Sequence, residues 1–536
     1  MKTRTKAGIT LIALVLLGIA GWSIYGWWLK HKLERYKSEL VTKGEKLTVA
    51  EFIADHRVPE FNSAEVFNRS TAFCQKDGIL SSNPPVAMRM VAPGRAMVGW
   101  RQPHLIDKTD KELLPYSDLP ITNTWDELAE ELAAARGRIE LLHQITAHPD
   151  LDFHLNYNAG YQLLLPHLSP FKGSAQLLSA AALLDLHNGN SASASKHIRA
   201  ILALSKGLRN EPIVISQLVR IAVMNLAIAP TWELLQSPDA SEADLKLIQS
   251  DFAGQDFIVP MTQALEMERT MISSHIGRFR EQGGVYEAFQ TSGGGPATTT
   301  LMERVERSFS PREIRKSSNE LLWQSALSYE DEMISLQGIT ALIEALRSAA
   351  TNKPLAEVCS NAFLRVKLDV KVDEEGFFGA LLDREDKTSL GSLREMFSNT
   401  GAKLWGTLRR VQTTEQCRAL VVSAIALKRH QLRSGNLPQT LDALVPEFLA
   451  APPRDPVDGK LLRYQSMPDG RFLLYSVGEN AVDDGGDASS AATNSNSHPN
   501  MQRGRDLVWP QPATPEEMPA QVERKLDGVV EEGIAR

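Results

Sequence analysis

The sequence predicts a mainly α-helical protein with three parts: an N-terminal transmembrane helix, a large helical-hairpin bundle or short solenoid, and a small C-terminal α+β unit with a β-hairpin. Three observations carry that expectation. The 23 residues from Ala7 to Leu29 include no charged side chain. Through the middle of the chain, apolar residues recur at helical spacing between short turns. Beyond residue 411 two short β-rich runs flank Met467-Pro-Asp-Gly470, the residue order of a tight turn.

The anchor comes first. As a helix, Ala7 to Leu29 spans about 35 Å, enough for a bilayer core. Trp22, Tyr25, Trp27 and Trp28 cluster at one end, as an interfacial aromatic belt does. The apolar run continues past Gly18-Ile-Ala-Gly21 into Trp28, longer than a signal-peptide core, so residues 1–30 read as an uncleaved anchor. Lys2, Arg4 and Lys6 precede the span and Lys30, Lys32, Arg35 and Lys37 follow it. That near balance of charge slightly favours a cytoplasmic body.

Residues 31–123 read as a charged helix leaving the membrane, followed by a proline-rich irregular segment wrapped on the later body. The helical domain is expected over residues 124–410. Thr124 and Glu127 form a capping box, and Leu128, Leu132, Ile139, Leu142 and Ile145 share a face of a helix from Trp125 to Ala147. Further helices are expected at Ser174–His187, Ala192–Leu208, Pro212–Leu235, Glu242–Phe252, Phe257–Arg280 and Pro311–Ser348 and again in the 355–410 region, with a mobile loop at 283–300. The run Ile213–Ala229 is apolar but carries Gln217, Arg220 and Asn225, so it reads as a buried helix, not a second span. A C-terminal unit at 411–510 begins with a helix from Thr414 to Arg433, and residues 511–536 form a polar tail.

Composition narrows the function classes. Apolar residues make up 43% and charged residues 23% of the 536 residues, as in globular proteins. A net charge of -7 without a long basic block excludes a nucleic-acid partner. Cys74, Cys359 and Cys417 lie far apart, which excludes a disulfide scaffold or zinc ribbon. No P-loop, G-x-G-x-x-G, G-x-S-x-G or H-E-x-x-H motif is present. His143, His148, His154 and His167 are too irregularly spaced for metal ligands on one helix face. They read as ordinary histidines.

One stretch concentrates chemistry. Tyr475 to Asp487, Y-S-V-G-E-N-A-V-D-D-G-G-D, gathers acids among glycines. Ca²⁺ takes six to eight oxygens, and glycines let a short loop turn its carbonyls inward. Asp483, Asp484 and Asp487 supply carboxylates and Asn480 an amide oxygen, with Asp506 returning across a linker. No glutamate lies where an EF-hand requires one. The other reading of the stretch is a solvated acidic turn.

From Ala419 to Pro510 the order of features resembles the soluble end of the type II secretion major pseudopilin. The matching pieces are Asn436-Leu-Pro438, Leu441-Asp-Ala-Leu-Val445, Asp455-Pro-Val-Asp-Gly-Lys-Leu-Leu-Arg-Tyr464, the acidic loop, and Arg505-Asp-Leu-Val-Trp509. Lys6-Ala-Gly-Ile-Thr-Leu-Ile12 is similar to the prepilin signal, with Gly8 at the cleavage position and Ala13 where the family has glutamate. The whole chain looks like a large membrane-anchored bacterial protein carrying such a module. The resemblance implies calcium at the loop and a body exported to the periplasm from the inner membrane.

The expected role is a membrane-anchored envelope scaffold that docks protein partners, with residues 7–29 in the membrane. The alternatives are an accessory component of a secretion or pilus-like system, and a hydrolase with its site in the helical domain.

Overall fold

The computed structural model describes residues 2–55, 59–71, 80, 85, 87–103, 105–106, 122–284, 311–351, 353–366, 390–391, 394, 400–478, 480–489, 501, 504–514 and 517. Cys74 and residues 285–300 of the expected loop lie outside them, as does most of the C-terminal tail.

The protein is mainly helical with small sheets. Helix α1 (Lys2–Thr42) carries the apolar run and its charged continuation without a break. It is followed by α2 (Val49–Asp55) and α3 (Ala64–Thr71). The proline-rich segment is more ordered than its composition suggests. β1 (Arg89–Ala92) and β2 (Arg95–Met97) pair antiparallel around Pro93-Gly94, with Gly94 at φ +69. That dipeptide is itself a turn signal. β3 (Leu105–Ile106) pairs with β4 (Thr122–Asn123).

The helix expected from Trp125 to Ala147 is divided at Ala135 into α4 (Trp125–Ala134) and α5 (Arg136–Gln144). Its capping box is present: Glu127 N–H donates to Thr124 Oγ1 (3.2 Å), and Thr124 N–H to Glu127 Oε2 (2.8 Å). α6 (Leu168–His187) and α7 (Ser191–Gly207) form a tight pair, with Gly189 at φ +73 and Asn190 capping α7. α8 (Val214–Leu235), α9 (Glu242–Ala253) and α10 (Ile258–Gln282) follow. α11 (Pro311–Leu322) runs through a π-helical turn, Trp323–Leu327, into α12 (Ser328–Ala350), and α13 is Leu355–Val366.

α14 (Thr400–Ser434) is longer than the helix expected from Thr414, and it crosses residue 411 without a break. Leu404, Leu408 and Val411 are buried one turn apart, so tertiary packing outweighs the low propensity of Gly401 and Gly406. One continuous apolar core includes Leu178, Trp232, Leu420, Leu474 and Trp509. β5 (Arg463–Ser466), β6 (Phe472–Val477) and β7 (Asp506–Val508) form an antiparallel sheet in that order. β8 (Gln511–Pro512) joins β2 in parallel, and Trp232 Nε1 donates to the carbonyl of Pro510 (2.8 Å).

Among the described residues two helices are long and apolar enough to cross a membrane. The apolar window of α1 is 6% buried and that of α8 is 61% buried, so only α1 is free to meet lipid. Inside α8, Arg220 is fully buried. It donates to the carbonyl of Ser205 (3.0 Å), Gln217 Oε1 (3.3 Å) and Gln255 Oε1 (3.2 Å), and lies over the Phe257 ring.

The second half of α1 is docked on the body. Trp22 Nε1 donates to Ser325 Oγ (2.8 Å). A Cβ at Gly26 would stand 2.5 Å from the carbonyl oxygen of Ser325, so this contact needs glycine. Leu29, Leu33 and Leu40 are buried at helical spacing, and Leu33 meets Met333 and Leu336. Lys37 pairs with the fully buried Glu332, and Glu45 pairs with Arg269 (2.6 Å) and Arg347. The apolar helix and the helical body therefore form one connected structure without a loose tether.

Candidate functional site

The acidic loop leaves the end of β6 and returns through β7. Close approach of these segments depends on glycine: a Cβ at Gly478 would collide with the Arg505 carbonyl. Gly485 and Gly486 hold φ values of +72 and +83, a region that other L-residues rarely adopt.

The centre of charge is not a residue of the loop but Arg463, on β5. Its guanidinium donates to Asp455 Oδ2 (2.8 Å), Asp458 Oδ2 (2.5 Å) and Asp483 Oδ2 (3.1 Å). The β-ladder opposes Arg463 to Tyr475, whose hydroxyl donates to Asp483 Oδ1 (2.9 Å). Asp455 is fully buried, and its carboxylate also accepts from the amides of Val457 (2.9 Å) and Val477 (2.8 Å) and from Ser476 Oγ (2.8 Å). Burial pushes Asp455 upward despite those bonds. For Asp458 and Asp483, burial acts in the same direction, but hydrogen bonds outweigh it and both are lowered.

The five candidate ligands divide accordingly. Asp483 is turned toward Arg463 and Tyr475. Asn480 Nδ2 donates to Asp484 Oδ2 (3.0 Å), and its Oδ1 accepts from Val482 N–H (3.1 Å). Asp487 accepts from Ser489 N–H (2.9 Å), and hydrogen bonding to the Ser489 side chain, then to its amide, lowers its pKa. Asp506 is buried. Its Oδ2 accepts from Gly486 N–H (2.8 Å), and its Oδ1 has no partner among the described residues. Burial raises Asp506, and the negative charges of Asp483 and Asp484 add to the effect. Among the described residues no three His, Cys, Asp or Glu side chains are grouped to hold a metal by themselves. A cation here would draw the remaining oxygens from backbone carbonyls, and the orphaned Asp506 oxygen is the feature that fits one.

The histidines are dispersed. His143 Nε2 meets His197 Nδ1 (3.0 Å), and His197 Nε2 meets Asp185 (3.1 Å). Burial and His197 push His143 down to about 4. His167 pairs with Glu211 (3.0 Å), and Ser216 donates to the same carboxylate. There the acid stands between serine and histidine, so the histidine does not take the serine proton as a triad requires. His148 stacks on Phe61, and His154 sits beside Asp152 (3.5 Å).

The sequence did not single out Glu233 in α8. It is fully buried; Oε1 accepts from the amides of Met88 (2.8 Å) and Gly99 (2.9 Å), and Oε2 has no partner among the described residues. A lone acid in an apolar helix was the signal available. Burial pushes its carboxyl up to about 7. Its contribution to stability is therefore complete below about 4.5 and is lost as pH rises through about 7. Thermal unfolding at pH 5 and pH 8 is expected to give a wild-type loss of about 3 kcal/mol that Glu233→Gln removes. Parallel pH profiles for the two chains would refute this assignment.

No protein-family model matches the chain, and neither a curated protein nor a solved structure matches it.

Proposed function

We propose that this protein is a membrane-anchored scaffold of the inner membrane of a Gram-negative-type cell, with a helical-hairpin bundle and a pseudopilin-like module at 411–510 in the periplasm. The single observation that supports this most is the docking of α1. A helix that crosses lipid and is then held by Gly26, Leu33, Lys37 and Glu45 sets a large body at a fixed height and orientation. Such a surface suits the presentation of binding faces to protein partners. A secretion-system accessory remains the second reading, and it requires a mature terminus at Ile9 after cleavage beyond Gly8. Mass spectrometry of the purified chain distinguishes the two readings.

In the same proposal, calcium stabilises the module. Asp506 would hold it with loop carbonyls, and Asp484, Asp487 and Asn480 would close on it only when the ion is present, while Asp483 stays with Arg463. The ion would supply the counter-charge that the buried Asp506 oxygen lacks. Thermal unfolding of the full chain in calcium and then in chelator tests this. Calcium at a hundred times its dissociation constant is expected to add about 2.7 kcal/mol, and Asp506→Asn to abolish the gain. No shift at millimolar calcium would leave Arg463 as the counter-charge of the loop and remove the ion from the proposal.

A further inference from the structure

We infer that His143 and His197 together bind one divalent transition-metal ion of the kind that prefers imidazole, zinc in the first instance. The site is separate from the acidic loop and does not rest on the membrane reading.

Helix packing brings the residues together. His143 lies in the last turn of α5, Asp185 near the end of α6 and His197 in the middle of α7. His143 is half-buried and His197 is buried. Their facing nitrogens, Nε2 of His143 and Nδ1 of His197, are 3.0 Å apart. Two imidazole nitrogens bound to one ion at about 2.0 Å stand about 3.3 Å apart in a tetrahedron and about 2.8 Å apart in a square plane. The observed separation falls between these values. A plain hydrogen bond between the rings also has this length, and the ring geometry argues against it. The centroids are 4.8 Å apart and the planes 42° apart. Rings meeting head-on across 3.0 Å would hold their centroids further apart, so at least one lone-pair axis is tilted off the line between the nitrogens. Tilt weakens an N–H···N bond, but it is what an ion shared by both nitrogens requires.

The far side of His197 supports the same reading. Its Nε2 donates to Asp185 Oδ2 (3.1 Å), which leaves Nδ1 as a lone pair aimed at His143. Metal-binding histidines are oriented in this way by a carboxylate behind the ring. When the ion enters, the His143 proton moves from Nε2 to Nδ1, and both facing nitrogens donate electron pairs with no net loss of a proton. The exposed Lys196 and Glu140 act on His143 with opposite sign, so they offset one another. Water completes the coordination, because no third His, Cys, Asp or Glu among the described residues joins the group. An ion held here pins α5 to α7.

The test is calorimetric titration of the full-length, metal-stripped chain in detergent with zinc, in excess calcium so that sites made only of oxygen ligands are filled. One zinc ion is expected to bind per chain. His143→Gln and His197→Gln are each expected to abolish that uptake. Asp185→Asn keeps both ligands and is expected to weaken binding about tenfold to a hundredfold, as loss of a carboxylate behind a ligating ring does. His154→Gln, at a histidine outside the pair, is expected to leave binding unchanged. Circular dichroism of each metal-free variant confirms that it is folded. Zinc uptake that survives both His143→Gln and His197→Gln overturns the inference and moves the ion elsewhere on the chain. No uptake at sub-millimolar zinc also overturns it and leaves the pair as a hydrogen bond between neutral rings.

Discussion

Asp455→Ala is expected to lower the stability of the folded chain by about 4 kcal/mol, because removing one partner of a buried ion pair leaves the other charge uncompensated. Asp455 is fully buried and binds Arg463, two backbone amides and the Ser476 hydroxyl. Alanine leaves all four donors without that acceptor. Two of the donors, Ser476 and the Val477 amide, lie on β6, the middle strand of the sheet. Asp458→Ala is the internal comparison. It removes a carboxylate from the same guanidinium at a partly exposed position, and such pairs contribute about 0–1 kcal/mol. Urea unfolding of the two variants separates them: equal, small losses would show that Arg463 is a solvated surface group and that the sheet does not depend on this cluster.

This cluster also marks the limit of what the sequence reveals. The acids from Asp483 to Asp487 are visible as a run, and their approach to Asp506 follows from the order of the chain. Their counter-charge is not visible, because Arg463 reaches the loop only through the register that opposes it to Tyr475. The hairpin turn at Met467–Gly470 fixes that register, but the return of the acidic loop onto Arg463 leaves no local trace. His143 illustrates the same point among helices: its partner is His197 on α7, not one of the histidines near it in sequence.

Local signals were more dependable where they acted within one element. The capping box at Thr124 and the turn at Gly189-Asn190 stand where their residues put them. The uncharged run of α1 gives its exposed apolar half for the same reason. One element escaped, and one boundary. The β1–β2 hairpin was hidden by prolines whose Pro93-Gly94 pair in fact makes its turn. Helix was expected both in the 355–410 region and from Thr414, and burial of Leu404, Leu408 and Val411 joins the two into one element. Where burial decides, propensity alone falls short.

At the other end of the molecule, Glu332→Ala is expected to release α1 from the body and to cost about 3 kcal/mol. Glu332, on α12, is fully buried and joins two other helices: Lys37 from α1, and Arg280 (2.5 Å) and the Ser273 hydroxyl (2.6 Å) from α10. Arg280 keeps Ser328 and the Tyr329 ring as neighbours, and Lys37 is partly exposed, so the loss stays below that of a fully enclosed pair. The effect is local, which makes it readable apart from global stability. Hydrogen exchange on the full chain in detergent is expected to show residues 33–42 losing protection while α6 and α7 keep theirs. In the proposed scaffold, the height of the body above the membrane would depend on this junction. If Glu332→Ala leaves residues 33–42 as protected as before, Leu33, Leu40 and Glu45 suffice to hold the anchor, and the buried carboxylate has no part in setting that height.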